Sequence, residues 1–195
     1  MALNVYYNLI ATCSLDKTIR IFDCSDSNSF THLETLSDGH DAEICQVAWS
    51  HPFAGNFLAS CGMDHRVVIW RPSDDNQMLD LSGEAHDLPE SKQNATPSGW
   101  KIHLLYDKFE ASVNSIDFAP YQAGTRLIAV GAERKIVILT LTSENQWIPS
   151  EIIDNESVSL GMFSVNWAPA SSSLVRIHDE TSGQPSIQMI SRFAV

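Results

Sequence analysis

Short apolar runs, broken by clusters of small and charged residues, recur through the chain with no sustained helical period between them. Three stretches align: IATCSLDKTIRIFD at 10–23, LASCGMDHRVVIWR at 58–71 and IAVGAERKIVILT at 128–140. Each holds an apolar run, a tight turn and a second run rich in β-branched residues, which predicts two strands joined in a hairpin. Matched on Ala11, Ala59 and Ala129, the third stretch has a turn about one residue shorter than the others.

A second element appears as ICQVAWSHP at 44–52, VNSIDFAP at 113–120 and FSVNWAPA at 163–170. Each ends in an aromatic, a small residue and usually a proline, which stops a strand because it cannot donate to the ladder. Trp49, Phe118 and Trp167 thereby fall at equivalent positions and are core candidates. A further strand follows each hairpin, in FTHLETL, WKIHLLYD and WIPSEII. The unit is four strands in about 45 to 50 residues, the spacing of propeller blades. One longer step is filled by 72–99, rich in Pro, Ser, Asp and Asn, with Asp74, Asp75, Asp80, Glu84, Asp87 and Glu90 against Lys92. That segment reads as a solvated surface loop. The predicted fold is all-β. Residues 1–38 form a blade lacking its first strand, 39–107 a second blade carrying the acidic loop 72–99, 108–157 a third, and 158–195 the start of a fourth.

Charge then narrows the partners. The 195 residues carry 24 acidic against 12 basic side chains, a formal charge of -12, which disfavours nucleic acid and anionic membrane surfaces and favours a protein partner. No apolar run approaches the roughly 18 residues of a membrane-spanning helix. The start, MALNVYYNLIATCSLDK, has no basic region ahead of its apolar stretch, so no secretory leader is expected. Cys13, Cys24, Cys45 and Cys61 show no CxxC spacing and read as small buried hydrophobes in a reducing compartment.

Candidate chemistry concentrates in LASCGMDHRVVIW, where Cys61, Asp64 and His65 lie close together. Cys61 and His65 with His40 and Cys45 would make a zinc set, but Cys45 and Cys61 fall within predicted strands while His65 falls in a turn. Asp64 beside His65 also suggests an acid/base pair, yet neighbours on a turn point in different directions, and no nucleophile or oxyanion donors accompany them. The pairs His86 with Asp87 and His178 with Asp179 read as loop polarity. GxGxxG, P-loop and HExxH patterns do not occur. The sequence assigns no catalytic residue, cofactor or metal.

Gly39 and His40 ahead of a first strand, Asp64 in the hairpin turn and Trp70 at the end of the third strand resemble the WD-repeat family, with Arg71 where that family carries an Asp. The resemblance implies a β-propeller and, in blade two, a buried network of His40, Ser60, Asp64 and Trp70. Loss of one member is expected to cost roughly 1 to 3 kcal/mol. Blade one keeps Thr12 and Asp16 but has Phe22 where Trp70 stands. Blade three has Lys108 and Phe109 near the Gly-His position and Glu133 near the turn Asp.

QVAWSHPFAGNFLASCGMDHRVVIWR, SVNSIDFAP, KIVILTLT, NQWIPSEI, SVNWAP and SRFAV narrow the likeness to the small WD-repeat subunit of the COPII outer coat, shared with the nuclear-pore scaffold. A paralogous nuclear-pore propeller ranks second. The resemblance implies an open six-bladed ring completed by strands from a partner, of which this chain holds three to four blades, either as a fragment or through an early end of the reading frame. It further implies a noncatalytic cytoplasmic scaffold in vesicle coats at endoplasmic reticulum exit sites and at the nuclear pore. The implied partners are the large outer-coat subunit and a nuclear-pore scaffold protein, with membrane contact only indirect. Tyr6 and Tyr7 are candidates for the partner edge. An adaptor reading short peptides on the top face of the propeller is the alternative.

Overall fold

A computed structural model describes residues 1–4, 8–26, 29–73, 99–120, 123–132, 135–153 and 164–167. Among these described residues twelve strands form three four-stranded antiparallel sheets, each paired in sequence order. Blade one is β1 (Ala2–Asn4), β2 (Leu9–Cys13), β3 (Ile19–Asp23) and β4 (Thr31–Leu36). Blade two is β5 (Ile44–Trp49), β6 (Leu58–Gly62), β7 (Val67–Pro72) and β8 (Trp100–Tyr106). Blade three is β9 (Val113–Phe118), β10 (Arg126–Gly131), β11 (Lys135–Leu141) and β12 (Trp147–Ile153).

Blade one does not lack its first strand. Ala2, Leu3 and Asn4 pair with Ala11, Ile10 and Leu9, a three-residue ladder too short to show as a periodic run in the sequence. The strand expected within 163–170 differs too. Among the described residues of that stretch, 164–167, no strand forms: Val165 N–H donates to Ser115 Oγ (3.2 Å) and Trp167 N–H to Asp117 Oδ2 (2.7 Å), so side chains of β9 take the donors a ladder would use.

Alternation along each strand sends one set of side chains to each neighbouring sheet. Leu9, Ala11, Ile19 and Ile21 of blade one pack with Leu58, Val68 and Trp70 of blade two. The opposite face of blade two, with Phe57, Ala59, Cys61, Val67 and Ile69, packs with Ile116, Phe118, Leu127, Ala129 and Leu139 of blade three. Each fully buried aliphatic side chain contributes about 1.5 to 3 kcal/mol, so these two inter-sheet cores supply most of the cohesion. Polar ties then fix how the sheets meet. Trp49 Nε1–H donates to Ala2 O (3.2 Å) between blades one and two, and Gln46 Oε1 accepts from Ser115 Oγ (2.9 Å) and Ile116 N (3.2 Å) between blades two and three.

The cross-strand register corrects the repeat alignment. Leu58 faces Trp49 and Trp70, and Leu127 faces Phe118 and Leu139, so Leu127 is the counterpart of Leu58 and the two hairpins are equally long. Ala129 therefore stands where Ser60 does, not where Ala59 does. The apparent shorter turn came from matching two alanines that lie on opposite faces of their sheets. The acidic segment 74–98 lies outside the described residues, as do Tyr6 and Tyr7, and so does 158–195 apart from 164–167. At the base of that segment Ser73 N–H donates to Gly99 O (2.7 Å).

Candidate functional site

In blade two, His40, Ser60, Asp64 and Trp70 form one chain of hydrogen bonds. Trp70 Nε1–H donates to Ser60 Oγ (3.0 Å), Ser60 meets His40 Nε2 (2.7 Å), and His40 Nδ1 meets Asp64 Oδ2 (2.9 Å) and Oδ1 (3.1 Å). The directions follow from chemistry. An indole only donates and an ionised carboxylate only accepts, so Nδ1 carries the proton and Nε2 accepts from the Ser60 hydroxyl. That is the neutral imidazole. Burial holds the His40 pKa below its ordinary value, against the opposing pull of Asp64.

Local backbone geometry places the acid. His65, next to it, sits in the left-handed region at φ 66°, and Asp64 Oδ1 accepts the N–H of Arg66 (3.3 Å) while Oδ2 accepts that of Asp41 (2.9 Å). Small residues are needed where the network closes. A Cβ on Gly39 would lie 2.4 Å from Trp70 Cζ2, and one on Gly62 would lie 2.6 Å from Glu43 O. Arg66 pairs outside with Asp41 at 2.6 Å.

Blade one does not join its counterparts. Asp16 accepts from Thr18 N (3.0 Å), Thr18 Oγ1 (2.6 Å) and Arg20 (2.7 Å) in the open, and its pKa falls to about 2, chiefly through the Thr18 hydroxyl. Thr12 Oγ1 reaches only its own hairpin, at Arg20 O (3.5 Å). In blade three the polar chain is absent by composition: Phe109, Ala129 and Leu139, at most 4% exposed, occupy the places of His40, Ser60 and Trp70. A Cβ on Gly131 would lie 2.7 Å from the Phe109 ring. Phe109 was legible from its place near the Gly-His position, whereas Ala129 and Leu139 were hidden by the shifted alignment.

The proposed zinc ligands do not converge. Both ring nitrogens of His40 are engaged, Cys61 turns into the core between blades two and three, and Cys45 and His65 are exposed. Cys45 is also not the buried hydrophobe expected from sequence. It sits where the register shifts between Ile44 and Gln46, and that bulge turns it outward. All four cysteines are free thiols.

At the other end of the inner strands lies an open cavity of about 290 Å³, lined by residues that include Leu3, Trp49, His51, Pro52, Asp117, Phe118, Pro120 and Trp167. The repeat had matched Trp49, Phe118 and Trp167 as equivalent positions, but nothing in the sequence brought them to one cavity with Leu3 and Asp117; the lining comes from the ends of β1, β5 and β9 and from 164–167. Burial raises the Asp117 pKa, although the carboxylate accepts N–H bonds from Trp167 and Phe118.

Repeated four-stranded blades, one of them closed by such a network, mark a WD-repeat architecture, and the family described as "WD domain, G-beta repeat" matches the chain at 1–23 and 30–71. Within that class it is similar to protein transport protein SEC13 of Mycosarcoma maydis, with 34% identity over 86% of this chain and 45% of the relative. It is likewise similar to the SEC13 homolog of Drosophila melanogaster, at 32% identity over 87% and 40%, and to protein transport protein SEC13-2 of Candida glabrata, at 35% over 86% and 48%. The chain spans about half the length of these relatives.

Proposed function

We propose that this chain is a noncatalytic scaffold of the SEC13 type, serving in the COPII vesicle coat between endoplasmic reticulum and Golgi and in the nuclear pore. Its cytoplasmic work is to accept strands from a partner, the large outer-coat subunit in one setting and a nuclear-pore scaffold protein in the other. No nucleic acid takes part, and contact with membrane passes through other coat layers. The transport names of the relatives support this reading.

One structural observation carries it. Leu58, Ser60 and Trp70 of blade two lie against blade one, and their counterparts Ile10, Thr12 and Phe22 form the corresponding face of blade one. With Leu3, which is 56% exposed, they make a partly apolar face directed away from blade two. An added blade seated there would repeat the packing that blades one and two already use, with main-chain hydrogen bonds inside the new sheet supplying affinity. The blade-two hydrogen-bond chain holds the scaffold rather than performing chemistry.

The test is co-expression with the large outer-coat subunit and, separately, with the nuclear-pore scaffold protein, followed by co-purification. A stable complex that Ile10→Asp abolishes and His65→Ala leaves intact is the expected result. Failure to co-purify with either partner would sink the proposal, and loss of binding on His65→Ala alone would favour peptide reading on the top face.

A further inference from the structure

We infer that the cavity at the ends of the inner strands is a binding site for an arginine side chain carried on an extended, apolar peptide segment. Its lining includes the aromatic residues Trp49, Phe118 and Trp167, the prolines Pro52 and Pro120 and the acid Asp117, and among the described residues no lysine or arginine. The cavity shares Leu3 with the open face of blade one, but Asp117 and Trp167 lie outside that face.

The walls are fixed in advance. Trp49 Nε1–H is bound to Ala2 O (3.2 Å) and Trp167 Nε1–H to Asp117 O (3.1 Å), so neither indole is free to swing out. Indole rings held at the lining in this way suit the flat guanidinium, which is attracted to the π-system of a ring and sheds water more readily than an ammonium. Asp117 supplies the counter-charge. The carboxylate accepts the N–H groups of Trp167 (2.7 Å) and Phe118, and since a carboxylate has about four acceptor positions, two are left for the parallel bonds of an arginine.

Charge complementarity selects the ligand. Burial disfavours the ionised form of Asp117, and the described structure gives it no cationic partner, so a cation entering the cavity relieves that penalty. An acidic or neutral side chain would not. The formal charge of -12 adds a long-range pull of the same sign. Leu3 (56% exposed) at the lining, and Phe53 (59% exposed) stacked on His51 at 5.3 Å, offer apolar contacts to residues flanking the arginine.

The full chain is titrated with the capped tripeptide Ac-Pro-Arg-Leu-NH2 and with the same peptide carrying norleucine or glutamate in place of arginine, read by tryptophan fluorescence. Saturable binding of the arginine peptide is expected, roughly tenfold or more tighter than norleucine, with none for glutamate. Asp117→Asn, whose amide oxygen still accepts the Trp167 N–H, is expected to lower arginine affinity by about the same factor without moving the thermal midpoint. Equal binding of the arginine and norleucine peptides, or no binding of either, overturns the inference, as does a folded Asp117→Asn with undiminished affinity. If that variant does not fold, nuclear Overhauser contacts between the arginine side chain and the Trp49 and Trp167 rings of the unaltered protein decide the matter, their absence counting against it.

Discussion

Blades two and three share a backbone pattern but solve one interior problem in opposite ways. Where blade two runs a relay from Trp70 through Ser60 and His40 to Asp64, blade three sets Leu139, Ala129 and Phe109. In each, a ring fills the space over a glycine, Gly62 below His40 and Gly131 below Phe109. The hydrogen-bonded form fixes geometry, since each donor has one suitable acceptor, but makes every member depend on the others. The apolar form gains from burial alone and needs no partner. A propeller keeps its blade shape with either, so the relay is not what makes a blade; it specifies how one blade closes.

The comparison can be broken most sharply in blade three. Phe109→Ala removes a ring that is 4% exposed and should cost about 3 to 5 kcal/mol in denaturant unfolding. In blade two, Asp64→Ala orphans the Nδ1–H of His40 and two backbone N–H groups, with an expected loss of about 1 to 3 kcal/mol. Converting blade two to the blade-three solution with His40→Phe, Ser60→Ala and Trp70→Leu together should cost less than the sum of the three single changes, because each single change leaves a partner unsatisfied. Strict additivity in that cycle would show that the relay is not coupled.

Smaller effects separate blade two from blade one by pH. His40 is held below 6.5 in the fold, so the unfolded chain binds its proton first; stability present above 6.5 should decline as pH falls below it toward the folded value. His40→Phe should remove that slope from a pH series of unfolding curves. Asp16 gives the smallest change. Its carboxylate, drawn from 3.8 to about 2, adds stability above 3.8 that disappears as pH falls through about 2. Since the group is exposed, Asp16→Asn should leave the thermal midpoint near pH 7 almost unmoved, and a shift as large as that of Asp64→Ala would overturn the contrast.

Much of this architecture is written in local pattern. The hairpins around Asp16 and Asp64, the proline stop after Trp49 and the outer strands at 31–36, 100–106 and 147–153 follow runs that any reading of apolar periodicity finds. The members of the blade-two relay were legible through the resemblance of Gly39, His40, Asp64 and Trp70 to the WD-repeat pattern, from which blades one and three depart. Other features were not. Ala2–Asn4 is too short to carry a period, the outward turn of Cys45 depends on a bulge, and the cavity residues come from four separate stretches of the chain.

The order of apolar runs was enough to specify repeated β-blades, at about 45 to 50 residues each, and the likeness of blade two to a known repeat pointed to its polar relay. That Ala129 rather than Val130 replaces Ser60 emerged from strand pairing, because a strand's register, and with it the face each side chain takes, is set by its neighbours β9 and β11. The setting of Asp117 among Trp49, Trp167 and the prolines is likewise made by packing one sheet on the next and by no local preference of the chain.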